Sequence, residues 1–190
     1  VGRPEFENGA LKRLTTFDSV NALNVGERGV HNSTGAIDLI APRIDTTGPV
    51  SARDDLNLVL GHNRLRYSDS SLESSRRANT RPVDAQLLGA MQGGRITLVS
   101  TAEGAGVRIA APLTARGDIK VTSAGNLEIS GIPDPLRMRV SSTSGDIALQ
   151  ARDDLNLSAL DVQGRAIDAS AGGTLRLDAK TRTSRDEKRE

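Results

Sequence analysis

The seven residues Ala52-Arg53-Asp54-Asp55-Leu56-Asn57-Leu58 recur unchanged as Ala151-Arg152-Asp153-Asp154-Leu155-Asn156-Leu157. The offset between the two copies is 99, which is close to five whole units if each unit is about 20 residues long. An exact internal repeat of this kind is the signature of an architecture built from stacked copies of one small unit. The repeat therefore indicates a fold of stacked units.

A looser unit, in which Gly precedes an apolar-polar-apolar triplet, occurs many more times along the chain. Each copy alternates like a short strand, and its opening Gly is a turn signal. Copies begin at Gly35-Ala36-Ile37-Asp38-Leu39, Gly94-Arg95-Ile96-Thr97-Leu98, Gly117-Asp118-Ile119-Lys120-Val121, Gly125-Asn126-Leu127-Glu128-Ile129, Gly145-Asp146-Ile147-Ala148-Leu149 and Gly173-Thr174-Leu175-Arg176-Leu177.

The spacing of these units indicates a coil of about 20 residues. The sequence separation is 20 from Leu127 to Ile147, from Ile147 to Ile167 and from Leu155 to Leu175. From Ile119 to Ile147 it is 28, and the stretch Ile132-Pro133-Asp134-Pro135 accounts for the excess as an inserted loop.

Strands this short cannot bury a face alone, but stacking successive coils about 4.8 Å apart buries one face of each and pairs the backbone with the coils on either side. The sequence therefore predicts an all-β fold, a right-handed parallel β-helix with coils of about 20 residues. The alternative is an antiparallel sandwich, in which hairpin turns recur about every 8–12 residues and the core is bulkier.

Composition fits a thin core of small aliphatic residues. The chain of 190 residues has two Phe, one Tyr and no Trp, so Val, Ile, Leu and Ala must fill the interior. A formal net charge of +1 gives no reason to expect a nucleic-acid partner or an anionic membrane. Cysteine is absent, which excludes disulfides and suits a chain that is threaded unfolded through a pore.

Targeting signals are not visible in the sequence. No apolar run approaches the roughly 20 residues that span a bilayer, and Val1-Gly2-Arg3-Pro4 has no signal-peptide pattern. We expect the chain to be a segment of a longer protein.

The order of segments in the first half resembles a known family. Gly35 to Ile44, Val50-Ser51-Ala52 and Leu56 to Arg64 are followed, after a polar stretch, by Val83-Asp84-Ala85 and by Leu87 to Arg108. This order resembles the two-partner-secretion domain of the filamentous haemagglutinin and contact-dependent growth inhibition exoproteins, and Leu87 to Arg108 is the most specific part.

The resemblance implies a division of the chain and a setting. Residues 1–112 are expected to be the C-terminal half of a two-partner-secretion (haemagglutination activity) domain, 113–179 the first haemagglutinin-type repeats, and 180–190 a charged tail. The implied location is secreted, on the surface of a Gram-negative cell. The implied partners are an outer-membrane two-partner-secretion transporter and a receptor on a host or neighbouring cell. The family's Asn-Pro-containing start motif is missing, so no transporter-recognition residue is carried over.

Arg116-Gly117-Asp118 is an integrin-type tripeptide, and the resemblance to adhesins makes it worth weighing. Gly-Asp before an apolar residue is nevertheless this chain's own turn unit, repeated at Gly145-Asp146-Ile147. The turn is the favoured interpretation, and the sequence does not decide whether the tripeptide binds a receptor.

Other candidate sites are better explained as structure. Asp54-Asp55 and Asp153-Asp154 have the form of carboxylate pairs for acid-base chemistry or calcium, but they occupy identical repeat contexts, which favours turns. His31 and His62 lack flanking carboxylates at ligand spacing, and Gly104-Ala105-Gly106 has no strand-to-helix context for a phosphate. Asn32-Ser33-Thr34 and Asn156-Leu157-Ser158 match the glycosylation tripeptide by chance. No catalytic, cofactor-binding or metal site is predicted.

Two polar stretches break the repeat pattern. Residues 63–82 carry Arg64, Arg66, Arg76, Arg77 and Arg81 among Ser and Asn, and a solvated loop is favoured over an anion- or glycan-binding excursion. The tail from Lys180 to Glu190 shows no repeat, and a frayed or partly helical end is expected.

These observations predict a non-catalytic β-helical segment of a large secreted exoprotein, either an adhesin or a contact-dependent growth inhibition effector. The alternative is a β-helical carbohydrate-active enzyme such as a polysaccharide lyase. The scarcity of aromatic side chains to stack on sugars speaks against it.

Overall fold

The computed structural model describes residues 2–16, 21–67, 71–74, 85–131, 138–178 and 182–185. Every regular element in these ranges is a strand. In chain order the strands are β1 (Arg3–Glu7), β2 (Ala10–Thr15), β3 (Ala22–Val25), β4 (Val30–Asn32), β5 (Ile37–Ala41), β6 (Arg43–Thr46), β7 (Val50–Ala52), β8 (Asp55–Leu60), β9 (Asn63–Arg66), β10 (Leu72–Ser74), β11 (Ala85–Leu87), β12 (Met91–Gly93), β13 (Arg95–Ser100), β14 (Val107–Ile109), β15 (Leu113–Ala115), β16 (Ile119–Ser123), β17 (Leu127–Ser130), β18 (Met138–Ser142), β19 (Ile147–Ala151), β20 (Leu155–Ser158), β21 (Leu160–Gly164), β22 (Ile167–Ala171), β23 (Leu175–Leu177) and β24 (Arg182–Arg185).

Three parallel sheets form the faces of a prism. Face 1 has the order β3-β6-β11-β14-β17-β20-β23, face 2 the order β4-β7-β12-β15-β18-β21-β24, and face 3 the order β5-β8-β13-β16-β19-β22. Each coil contributes one strand to each face in turn, so the predicted parallel β-helix is confirmed and the antiparallel sandwich is wrong.

Alternation within each strand separates the core from the surface. In β19, Ile147, Leu149 and Ala151 are buried, and the residues between them are partly exposed. Identical positions stack from coil to coil, as Ile119, Ile147 and Ile167 do on face 3. Packing is close at the corner of faces 2 and 3, since a Cβ placed on Gly164 would lie 3.0 Å from Ile147 Cδ1. Burying each aliphatic side chain of the core contributes about 1.5–3 kcal/mol.

Coil lengths vary around the predicted value. The register pairs Ile37 with Leu56, a sequence separation of 19, and Val107 with Leu127, a separation of 20. Ile119 pairs with Ile147, as predicted from their separation of 28. The loop Ile132-Pro133-Asp134-Pro135 that was predicted to supply the excess lies outside the described residues.

Two spacings were wrongly interpreted. Leu127 and Ile147 are separated by one predicted coil length but lie on faces 1 and 3, so they are not equivalent positions of successive coils. The duplicated heptad likewise occupies two different faces, because Leu56 lies in β8 of face 3 and Leu155 in β20 of face 1. The offset of 99 between the two heptads is therefore not five whole coils.

A small antiparallel sheet lies outside the coils, in the order β1-β2-β9-β10. Its last two strands fall in the stretch 63–82 that was predicted to be a loop, so that prediction is wrong for the part described. Arg64 and Arg66 in β9 approach Glu73 of β10 to 3.3 and 3.6 Å. Arg76, Arg77 and Arg81 lie outside the described residues.

The charged tail is not wholly irregular. Arg182–Arg185 form β24, which pairs with β21 and adds a seventh strand to face 2. This part of the tail therefore belongs to the coil stack, contrary to the prediction of a frayed or helical end. Residues 180, 181 and 186–190 lie outside the described residues.

Ion pairs link coils at the corner between faces 2 and 3. Arg165 donates from Nε and Nη2 to both carboxylate oxygens of Asp146, at 2.8 and 2.7 Å. Arg95 does the same to Asp55, at 2.9 and 2.6 Å. Hydrogen bonds from the partner guanidinium hold the pKa of Asp146 and of Asp55 below the ordinary value of 3.8, and the charge of the same arginine adds to the effect.

The lowered pKa of Asp146 predicts a small acid sensitivity that replacing Arg165 removes. A carboxylate whose pKa is lowered on folding stabilises the folded state above its unfolded pKa, and that contribution is lost as pH falls through the folded pKa. Arg165→Gln should therefore lower the melting temperature slightly at pH 7, and the difference from the parent chain should disappear as the pH falls through the lowered pKa of Asp146. Thermal melts from pH 7 to pH 2 measure this. A difference that persists unchanged at pH 2 would mean that the ion pair is not its cause.

Candidate functional site

Two of the paired aspartates, Asp55 and Asp154, make contacts that hold neighbouring coils together. Asp55 opens β8 and binds Arg95, as described above. Asp154 precedes β20, and its Oδ1 accepts a hydrogen bond from the backbone N–H of Thr174 in the next coil, at 2.7 Å. Asn126 accepts in the same way from the N–H of Asp154, at 3.1 Å. The two copies of the heptad therefore use their aspartates differently. Asp55 forms an ion pair with Arg95, whereas Asp154 accepts a backbone hydrogen bond from the next coil.

The Arg116-Gly117-Asp118 tripeptide is part of the coil-to-coil bonding. Asp118 Oδ1 accepts from the N–H of Asp146 at 2.9 Å, and Gly117 N donates to Gly94 O at 2.7 Å. The guanidinium of Arg116 donates to the carbonyl of Arg53, at 2.5 Å. Both charged side chains thus make contacts within the fold, although both residues are exposed.

The remaining sequence candidates are also engaged locally. His31 Nδ1 and Ser51 Oγ share a hydrogen bond of 2.5 Å, and His62 Nδ1 lies 3.3 Å from Thr16 O. The side-chain amide of Asn32 donates to Ala36 O at 3.0 Å, and its oxygen accepts from the N–H and hydroxyl of Thr34. Gly104-Ala105-Gly106 lies in the turn between β13 and β14, and Asn156 lies exposed in β20.

Two surface clefts are bounded by described residues. The larger, of about 580 Å³, lies where face 3 passes into the next coil, and the ion pair between Arg152 and Glu103 (2.6 Å) lines it. The smaller, of about 320 Å³, lies at the corner of faces 2 and 3 and is lined by Arg53 and Arg116, with His31, Ser51 and Gln92 along its floor. Sequence reasoning did not find this second cleft, because its residues come from four coils.

Within the described ranges, no group of three or more His, Asp or Glu side chains is arranged to hold a metal ion. The same ranges contain no helix long and apolar enough to cross a membrane.

Comparison with known protein families identifies a match over most of the chain. The model of the TPS secretion domain, named for two-partner secretion, matches residues 1–129. The chain belongs to the TPS secretion domain family. The match covers the extra-helical sheet and the first four coils, and it includes the segment Leu87 to Arg108 that carried the resemblance most specifically.

Relatives of the family are far longer than this chain. A hemolysin from Proteus mirabilis is 40% identical over 128 residues, which are 67% of this chain and 8% of the hemolysin. The filamentous hemagglutinin of Bordetella pertussis is 30% identical over 142 residues, 68% of this chain and 4% of that protein. A protein named tRNA nuclease CdiA from Yersinia mollaretii is 28% identical over 185 residues, 95% of this chain and 6% of its own length. The chain thus spans less than a tenth of each.

A solved structure has the same fold. The crystal structure of the filamentous hemagglutinin secretion domain superposes with a TM-score of 0.60 at 23% identity, covering 96% of this chain and 58% of that one. This member of the TPS secretion domain family therefore has the fold of that solved structure.

Proposed function

We propose that this chain is a secretion and folding module of a large exoprotein that crosses the outer membrane through a partner transporter. The observation that carries the proposal is the TPS secretion domain match over residues 1–129. Relatives of this region include hemolysins and a filamentous hemagglutinin, which are the kinds of protein expected at or beyond the cell surface.

The coil stack suits such a role physically. Each coil buries its aliphatic side chains only when the next coil is added, and stability grows roughly additively with each interface. Turn groups such as Asp118 and Asp154 accept hydrogen bonds from the backbone N–H of the following coil, so a finished coil offers fixed acceptors to the one that arrives next. A chain emerging from a pore can therefore fold coil by coil and lose the tendency to slide back.

The proposal includes the division of the chain and its lack of catalysis. We assign residues 1–112 to the C-terminal half of the secretion domain and 113–179 to the first repeats of the shaft. The family match ends at residue 129, inside the segment assigned to the repeats. The work of this segment is mechanical. None of the relatives described above is a polysaccharide lyase, so nothing favours the enzymatic alternative. A receptor on a host or neighbouring cell would be contacted by the whole exoprotein.

Export of the full exoprotein tests the proposal. The exoprotein and its partner transporter are co-expressed in a Gram-negative host, and residues 1–129 are replaced by an equal length of coils from the shaft. Secretion into the medium should fall at least about tenfold, measured by immunoblot of cell and medium fractions. The control makes the same exchange within the shaft, which should leave secretion unchanged. Undiminished secretion after the first exchange would refute the role in export.

A further inference from the structure

The cleft at the corner of faces 2 and 3 has the composition of an anion site. Its cationic side chains are Arg53 and Arg116, and no carboxylate belongs to its lining. Asp54, the residue after Arg53, is exposed and does not line the cleft. The site is therefore positively charged, whereas the larger cleft contains Arg152 already neutralised by Glu103.

The two arginines differ from others on this surface. Arg95, Arg152 and Arg165 each lie within 2.7 Å of a carboxylate oxygen. Within the described part of the chain, neither Arg53 nor Arg116 forms an ion pair. A guanidinium carries five N–H donors in a planar fork, and the hydrogen bond from Arg116 to Arg53 O engages one nitrogen of that fork. Donors remain for a ligand.

The backbone holds Arg116 in position over the cleft. Arg116 follows β15 in the fourth coil, and its side chain passes over the third coil to reach the carbonyl of Arg53 in the second. Gly94 of the third coil makes room, since a Cβ there would lie 3.2 Å from Arg116 Nη2. A guanidinium fixed in this way loses little side-chain freedom when it binds, which favours affinity.

The floor of the cleft supplies neutral polar groups. Register pairs His31 with Ser51 and Ser51 with Gln92 on face 2, so the imidazole, hydroxyl and amide form an outward-facing column about 4.8 Å apart. Ser33 adds a second hydroxyl at the rim. Hydroxyl and amide groups at this spacing match the hydroxyls of a sugar ring, and a volume of about 320 Å³ exceeds the needs of a single oxyanion.

We propose that this cleft binds a saccharide that carries a sulfate or phosphate ester. The ester oxygens accept from the guanidinium groups of Arg53 and Arg116, the charge-assisted pairing that arginine forms best with tetrahedral oxyanions. The sugar ring lies along His31, Ser51 and Gln92. The site is independent of export, because it depends on the folded corner alone.

Chemical-shift titration of the ¹⁵N-labelled chain tests the site. Glucose 6-sulfate and glucose 6-phosphate should shift signals of residues around Ser51, Gln92 and Arg116, and unmodified glucose should not. The two esters separate a sulfated from a phosphorylated ligand by their relative affinities. Equal binding of inorganic sulfate and the sugar esters would overturn the assignment to a saccharide, and shifts spread over all faces would overturn the site itself.

Matched variants separate the cleft from general electrostatics. Arg53→Gln and Arg116→Gln should each weaken ester binding about tenfold or more, the usual loss for a charged hydrogen bond. Arg176→Gln removes the same charge from an exposed position on face 1 and should leave affinity unchanged. Asp118→Asn should also leave it unchanged, which distinguishes the cleft from recognition of the Arg116-Gly117-Asp118 tripeptide. Circular dichroism confirms that each variant is folded, and an equal loss in Arg176→Gln would refute the proposal.

Discussion

Replacement of Ile147 by Asp is expected to lower the melting temperature by about 10 °C or more. The side chain is 1% exposed and lies between Ile119 and Ile167 of the neighbouring coils. The substitution removes an apolar group worth about 2–5 kcal/mol when truncated in a core. It also places a carboxylate among aliphatic side chains, where the carboxylate loses its hydration and finds no hydrogen-bond donor in exchange. Chemical denaturation measures the loss of unfolding free energy, which should reach at least about 4 kcal/mol.

Gln150→Asp is the matched control, because it introduces the same side chain into the same strand three residues later. Gln150 points outward and is flanked in register by Thr122 and Ser170, which carry no charge. Its replacement should change the unfolding free energy by less than about 1 kcal/mol. Similar losses for the two variants would mean that the inward and outward positions of β19 are assigned wrongly.

The inward and outward positions could be predicted from the sequence because the physical cause is local. A strand alternates its side chains regardless of what it pairs with, so Ile147 and Leu149 were predictable as core from Gly145-Asp146-Ile147-Ala148-Leu149 alone. The same logic placed Leu175 and Leu177 inward. They are 42% and 57% exposed, because in the described part of the chain no strand stacks on the outer side of β23.

The face on which a unit lies could not be predicted in this way. All three faces require the same apolar alternation, so Leu56 and Leu155 have identical surroundings in sequence but stack in different sheets. The faces differ in the number of residues that connect one strand to the next at each corner. A single residue separates β12 from β13, whereas six separate β13 from β14. A separation of one predicted coil length, such as that from Leu127 to Ile147, can therefore join two faces.

The cleft escaped prediction for a related reason. Arg53 and Arg116 are 63 residues apart in sequence, and they approach each other only because their coils stack in the folded chain. The extra-helical sheet was missed because Asn63–Arg66 and Leu72–Ser74 are short and polar, so neither shows the apolar alternation on which strand prediction depends. The turn role favoured for Asp118, by contrast, followed from repetition of Gly-Asp, and its carboxylate does bond the next coil.

Gly145→Ala is expected to be strongly destabilising, although it adds only one methyl group. A Cβ at this position would lie 2.3 Å from the carbonyl carbon of Gly117 and 2.4 Å from the backbone nitrogen of Asp118, in the coil beneath. Backbone atoms cannot turn aside as a flexible side chain does, so the fourth and fifth coils must separate locally. That separation stretches the hydrogen bonds from Asp146 N to Asp118 Oδ1 and from Ile119 N to Asp146 O, both 2.9 Å. We expect a loss of about 3 kcal/mol, at the upper end for overpacking, measured by chemical denaturation.

Gly35→Ala provides a control within the same motif, because Gly35 also opens a Gly-x-Ile-x-Leu unit that enters face 3. Face 3 ends at β5 in the described residues, and a Cβ on Gly35 meets nothing closer than Asn32 Nδ2, at 3.5 Å. The backbone there does not need glycine's left-handed conformation, since Gly35 is not among the positive-φ residues. Ala should therefore be neutral or stabilise by up to about 1 kcal/mol, because it restricts the unfolded chain. Glycine is thus required in this unit by the coil below and not by the turn itself. If Gly35→Ala destabilised as much as Gly145→Ala, turn conformation would be the common cause, and close stacking of the coils would not explain the repeat's glycine.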